Sequence, residues 1–168
     1  MGEANNEATT NFEGSSLVEN SKQERLYEPA GFTDQVIPTL EFYKNPLHSD
    51  ATYYYYERVP SEVLLEVVST LPKENYEEER QNNSPRIQDF VEIAKKEPRA
   101  RFNLYVITKE RDDERLTIEG VFIPKDRTDL IRFALEKALR RPDEEAVVYL
   151  LQYPTGTKPE EYFFMWWD

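Results

Sequence analysis

The stretch 101-RFNLYVITKERDDERLTIEGVFIP-124 decides the fold. Its first part, residues 101–109, carries Phe102, Leu104, Tyr105, Val106 and Ile107, the β-branched and aromatic side chains that suit a pleated, buried surface, and it reads as a strong strand. Arg111-Asp112-Asp113-Glu114 follows as a polar turn, and residues 116–123 form a second strand that Pro124 ends. Strict alternation along that strand puts Leu116, Ile118, Gly120 and Phe122 on one face. The two strands read as an antiparallel hairpin. Gly120 inside one of them marks a bulge or a close backbone approach.

Working outward toward the C-terminus, Leu130, Ile131, Ala134, Leu135, Ala138 and Leu139 recur at helical spacing and predict a helix over residues 127–140. Acids at its start and Arg140 and Arg141 at its end match the helix dipole. Residues 146–153 and 162–167 read as two more strands, with 154–159 as their turn.

Toward the N-terminus, Ile87, Phe90, Val91 and Ala94 form the apolar stripe of a helix over 85–96, with Ser84 as its N-cap. Val63, Leu64, Val67, Val68 and Leu71 do the same for a helix from Ser61 to about Thr70. Residues 73–84 read as a polar connector, and residues 51–59 as the first strand. The order β-α-α-β-β-α-β-β implies an α+β fold, a mostly antiparallel five-stranded sheet packed against about three helices. Residues 1–31 are too poor in apolar side chains to offset the entropy of ordering and read as a disordered acidic tail. Residues 32–168 then make one domain, in which 32–46 form an arm packed against the rest.

The formal charge of −12 narrows the partners. Residues 1–50 hold nine acidic and three basic side chains, and residues 51–168 hold twenty-four and eighteen, so the folded part is acidic as well. Such a surface repels phosphate backbones and anionic lipid, which disfavours nucleic acid and membrane as partners. No apolar run is long enough to span a bilayer and the N-terminus has no secretory pattern. With no cysteine in 168 residues, disulfides and thiolate chemistry are excluded, and a cytoplasmic location is expected.

The residues that could carry chemistry are few. His48 is the only histidine, beside Asp50, which disfavours a zinc site. Asp112-Asp113-Glu114 reads as a solvated turn rather than a magnesium site. Neither a dinucleotide fingerprint nor a P-loop occurs, so no cofactor is expected. Lys95, Lys96, Arg99 and Arg101 begin a stretch with six basic side chains against two acidic and are the anion-binding candidates. Glu57, Glu119, Arg99 and Arg101 would have to converge for the protein to be a small carboxylate/arginine enzyme acting on a phosphorylated or metal-bound substrate. An acidic inhibitor that mimics nucleic acid is a further alternative, given the charge.

The aromatics point elsewhere. Tyr53-Tyr54-Tyr55-Tyr56 and Tyr162-Phe163-Phe164-Met165-Trp166-Trp167 lie in strands, where alternation sends half of each set to either face. A sheet with helices on one side exposes its other face, and aromatics there make an adhesive surface unless something covers them. Tyr53, Tyr55, Tyr162, Phe164 and Trp166 are therefore the interface candidates. The function expected is a non-enzymatic protein-interaction module that binds a protein partner or a second copy of itself.

Overall fold

A computed structural model describes residues 24–151 and 158–168. The expected tail up to residue 23 and most of the expected turn at 154–159 lie outside the described residues. The fold is α+β, with five strands, β1 (Tyr53–Pro60), β2 (Arg101–Ile107), β3 (Arg115–Pro124), β4 (Glu144–Leu151) and β5 (Pro159–Trp166). They form one sheet in the order β1-β2-β3-β5-β4, with every neighbouring pair antiparallel. Five α-helical segments accompany them among the described residues: α1 (Ile37–Leu40), α2 (Ser61–Val68), α3 (Lys73–Glu78), α4 (Ile87–Lys96) and α5 (Thr128–Lys137). The three expected from apolar periodicity are α2, α4 and α5.

The helices lie on one face of the sheet. Leu64 and Val67 of α2, Phe90 and Ile93 of α4, and Leu130 and Ala134 of α5 meet Phe102, Leu104, Val106, Leu116, Ile118, Val121 and Ile123 of the central strands. Tyr56, Met165 and Trp167 complete this core and are wholly buried. Each such side chain contributes about 1.5–3 kcal/mol by leaving water. The segment 32–46 packs on the same side through Val36 and Leu40, while its Phe42 stands 88% exposed.

Two bulges shape the sheet. Asn103 of β2 stands opposite a register shift in β1, between Tyr56 and Val59, and opposite another in β3, between Ile118 and Gly120. Glu119 is the extra residue in β3. The bulge corrects the simple alternation expected there: Leu116 and Ile118 face the helices, but Gly120 and Phe122 face the other way, and Val121 and Ile123 take over the core. Gly120 is also the close approach, because a Cβ there would lie 3.2 Å from Cε2 of Phe164 and 3.4 Å from Cβ of Asn103. In β1 the bulge holds Arg58 at φ +53°, and its N–H donates to Oδ1 of Asn103 at 2.9 Å.

Several expected boundaries shift for local reasons. The polar connector contains α3, whose Asn75 is wholly buried. Leu116 pairs with β2 on one side but lies beyond the reach of β5 on the other, and there Asn75 serves in place of a strand: Oδ1 accepts from Leu116 N–H at 3.2 Å and Nδ2 donates to Leu116 C=O at 2.9 Å. Ser84 does not cap α4. Arg86 occupies the N-cap, its N–H donating to Asp89 at 3.0 Å, and Ser84 is buried, donating to Pro85 C=O at 2.8 Å. Helix α5 stops at Lys137 rather than near Arg140, since Leu139 N–H turns aside to Asn83 C=O at 2.9 Å.

Residues 24–31, assigned to the tail by composition, run against the domain. Arg25 donates to Lys109 C=O at 2.9 Å, and the Tyr27 hydroxyl donates to Glu79. Their anchor is Glu114, which the sequence placed in a solvated turn. It is wholly buried and accepts from Gly31 N–H at 2.7 Å, Thr33 N–H at 3.2 Å and Thr33 Oγ1 at 2.6 Å. Asp112-Asp113 remains a surface turn, with Asp113 paired to Arg111 and Arg115.

Candidate functional site

The face of the sheet away from the helices carries an aromatic floor. The side-chain period of two puts Tyr53 and Tyr55 of β1, Tyr105 of β2, Phe122 of β3, and Tyr162, Phe164 and Trp166 of β5 on it. All five interface candidates thus share one surface, and their alternates, Tyr54, Tyr56, Phe163, Met165 and Trp167, turn to the core. Neighbouring rings support one another. Tyr53 and Tyr105 have centroids 4.9 Å apart, and Phe122 stacks on Phe164 at 4.5 Å and 25°. Tyr162 is buried, and Tyr53, Tyr55, Phe164 and Trp166 are half-buried.

Above this floor is a hollow of about 460 Å³. Tyr53, Tyr55, Phe164 and Trp166 form its apolar surface, with His48 edge-on to Tyr55 at 6.0 Å. Glu57, Glu119, Glu144 and Asp168 supply its charge. Glu119 is the deepest of the four, 9% exposed, and the β3 bulge is what turns it into the hollow. Burial pushes its carboxyl above the usual carboxylate range; the Tyr55 and Trp166 donors pull against that push, and the Asp168 charge adds to it. Burial, together with the charge of Glu119 and its hydrogen bond, in turn raises the Tyr55 phenol. Glu57 accepts from Asn45 Nδ2 at 3.0 Å. Among the described residues no lysine or arginine forms an ion pair with Glu57, Glu119, Glu144 or Asp168. Nor do three acidic or histidine side chains among the described residues gather closely enough to hold a metal ion.

No protein-family model, curated protein or solved structure matches this chain.

A second hollow, of about 1060 Å³, adjoins the first through Glu57, which lines both. Its character is different. Lys44, Arg58 and Arg101 outnumber the carboxylates of Glu57 and Glu62 in its lining, beside Phe42, Tyr43 and Tyr162. Lys44 Nζ sits 4.0 Å from the centroid of Tyr54, and Arg101 donates to the carbonyls of Arg99 and Ala100 at 3.2 and 3.3 Å. A non-glycine residue at positive φ costs about 1 kcal/mol, and at Arg58 that conformation is held by the Asn103 hydrogen bond. Together the hollows make a trough, acidic at one end and basic at the other.

The anion-binding candidates are not brought together. Lys95 pairs with Glu92 at 3.7 Å, and Lys96 lies 5.6 Å from the centroid of Phe133. Arg99 binds Glu97 at 2.8 Å, Asp126 at 3.2 Å, and Glu160. Burial pushes the Glu97 carboxyl up, but Arg99 and Arg127 outweigh it and hold it below the usual range. This cluster ties the ends of α4, β2, α5 and β5 together. Only Arg101 lines the trough. For the four residues of the enzymatic alternative, Glu57 and Glu119 share the acidic hollow with β2 lying between their strands, Arg101 belongs to the basic hollow, and Arg99 is absorbed in its cluster. Sequence reasoning missed Lys44 and Arg58 in the trough and Tyr105 in the aromatic floor beneath it. Tyr105 was legible from its alternation against Phe102 and Leu104; the other two depend on the fold of the arm and on a bulge.

Proposed function

We propose that this protein is a non-enzymatic binding module that seats a segment of another protein in the trough on its open sheet face. The observation that carries this reading is the pairing of an aromatic floor with four carboxylates that have no cationic partner among the described residues. Aromatic faces attract cations, and a guanidinium both stacks on rings and pairs with carboxylates. The acidic end of the trough is thus suited to an arginine or lysine side chain, and the basic end to an acidic residue or carboxyl group farther along the same segment. Interfaces that bind tightly concentrate their energy on such half-buried aromatics.

A defined probe tests this. Trp166 lies in the hollow and Trp167 in the core, so fluorescence of a Trp167→Phe variant reports the trough alone. Twelve-residue peptides with arginine at one end and glutamate at the other are expected to change that fluorescence saturably. Their counterparts with citrulline for arginine should bind at least tenfold more weakly. Equal binding of both sets, or binding that Phe164→Ala and Glu119→Gln leave untouched, would refute the assignment.

A further inference from the structure

A sheet exposes unpaired backbone N–H and C=O groups along its edges, and among the described residues this chain covers several stretches of them with its own residues. The outer edge of β1 is covered by the segment 44–50: Lys44 bridges Tyr56, Asn45 N–H donates to Tyr55 C=O at 2.8 Å, and Asp50 N–H donates to Tyr53 C=O at 2.7 Å. The stretch of β3 beyond the reach of β5 is covered by Asn75 and by Trp167, whose N–H donates to Glu119 C=O at 2.8 Å. Strand β4 has β5 on one side, and among the described residues nothing pairs with its other edge.

That edge is protected only at its start, by Glu144 and Glu145. It holds no proline and no lysine, and its register to β5 runs unbroken from Glu144 to Leu151. On the helix side of the sheet, beyond the cover of α5, Val147, Tyr149 and Leu151 are 46%, 64% and 65% exposed, and Leu139 is 65% exposed. A long, regular, apolar edge is a template for another strand.

We propose that β4 pairs with β4 of a second copy of this chain, antiparallel and centred on Val148, to make a ten-stranded sheet. The pattern of charge on the strand is compatible with a second copy and selects the direction of pairing. Its two glutamates, Glu144 and Glu145, stand together at one end and its apolar residues at the other. Parallel pairing would set the glutamates of the two copies side by side. Antiparallel pairing about Val148 puts Glu145 opposite Leu151 and each Val147 opposite a Tyr149. The two Glu145 residues are then six positions apart along the pair, roughly 20 Å at about 3.4 Å per residue. That is more than twice the screening length of about 8 Å in physiological salt, so their repulsion is negligible. Residues opposite each other in such a pair share a face, so both troughs open on the same side of the joint sheet. The dimer would present two seats for one bivalent partner, although the pairing itself does not depend on what the trough binds.

Sedimentation of the full chain between 1 and 100 µM is expected to show conversion from a 19.9 kDa monomer to a species of twice that mass. Added salt should strengthen the association, because each copy carries a charge of −12. Val147→Lys combined with Tyr149→Lys alters two exposed side chains and should leave the melting temperature unchanged while abolishing the dimer. The chain has no cysteine, so single replacements report the register: Val148→Cys should oxidise to a linked dimer and Glu145→Cys should not. A chain that stays monomeric at 100 µM, with β4 amides exchanging as fast as a free edge, would overturn the proposal. A dimer that survives the double lysine variant, or one that cross-links through Glu145→Cys and not through Val148→Cys, would overturn it as well.

Discussion

Asn75→Ala removes the side chain that closes β3 at Leu116, where β5 does not reach. Its amide takes both the N–H and the C=O of Leu116, and both residues are wholly buried, so water does not replace it without local opening. Each orphaned group costs about 1–3 kcal/mol, for a total of about 2–6 kcal/mol. At about 2–4 °C per kcal/mol for a chain of this size, that lowers the melting temperature by roughly 4–24 °C. Urea unfolding should show the loss as a lower midpoint with an unchanged slope, and the Leu116 amide should lose its protection from hydrogen exchange. Asn75→Asp separates hydrogen bonding from packing. It keeps the volume and the acceptor, but a carboxylate oxygen replaces the donor and faces the Leu116 carbonyl. At pH 7 this variant should be at least as unstable as Asn75→Ala. Protonation restores a donor, so the deficit relative to the parent should narrow as pH falls toward the ordinary carboxylate range of about 4. The reasoning fails if Asn75→Ala stays within about 0.5 kcal/mol of the parent with Leu116 still protected, or if Asn75→Asp is neutral at pH 7.

Glu119→Gln should separate stability from binding. The folded protein holds the Glu119 proton more tightly than the unfolded chain does, so stability falls as pH rises from the ordinary value of 4.5 through the raised one. Glutamine removes that charge and can still accept from Tyr55 and Trp166. The variant should be more stable than the parent at pH 7, with a flatter pH dependence in urea unfolding, yet bind arginine-containing peptides more weakly. A variant more than about 1 kcal/mol less stable than the parent at pH 7 would show that the carboxylate is not held at a cost. Gly120→Ala forces a methyl to 3.2 Å from the Phe164 ring, so Phe164 must give way at its stack on Phe122. The expected loss is about 1–3 kcal/mol, with a shift in the aromatic side-chain resonances of the trough floor, and an unchanged midpoint would contradict the close approach.

The sequence by itself determined the elements and much of their facing. Apolar spacing in 61–70, 85–96 and 127–140 gave the three helices, because helix periodicity is written in neighbours three and four residues apart. Alternation likewise sorted Tyr53 and Tyr55 from Tyr54 and Tyr56, and Phe164 and Trp166 from Met165 and Trp167, since a side chain's face within a regular strand depends only on the count along that strand. Gly120 announced a bulge, but not that the bulge would flip Phe122 to the open face and aim Glu119 into a hollow. That required the register against Asn103, which is a relation between strands. The same holds for Glu114 and Asn75, polar residues in polar stretches whose burial is imposed by partners more than forty positions away in the chain. Charge on Lys95, Lys96, Arg99 and Arg101 was visible as a run, yet neutralisation is a matter of which carboxylates arrive from α5 and β5. Strand order belongs to the tertiary structure for the same reason. Only when β5 inserts between β3 and β4 does β4 become an edge, and only then does an ordinary apolar strand present a side that nothing among the described residues pairs with.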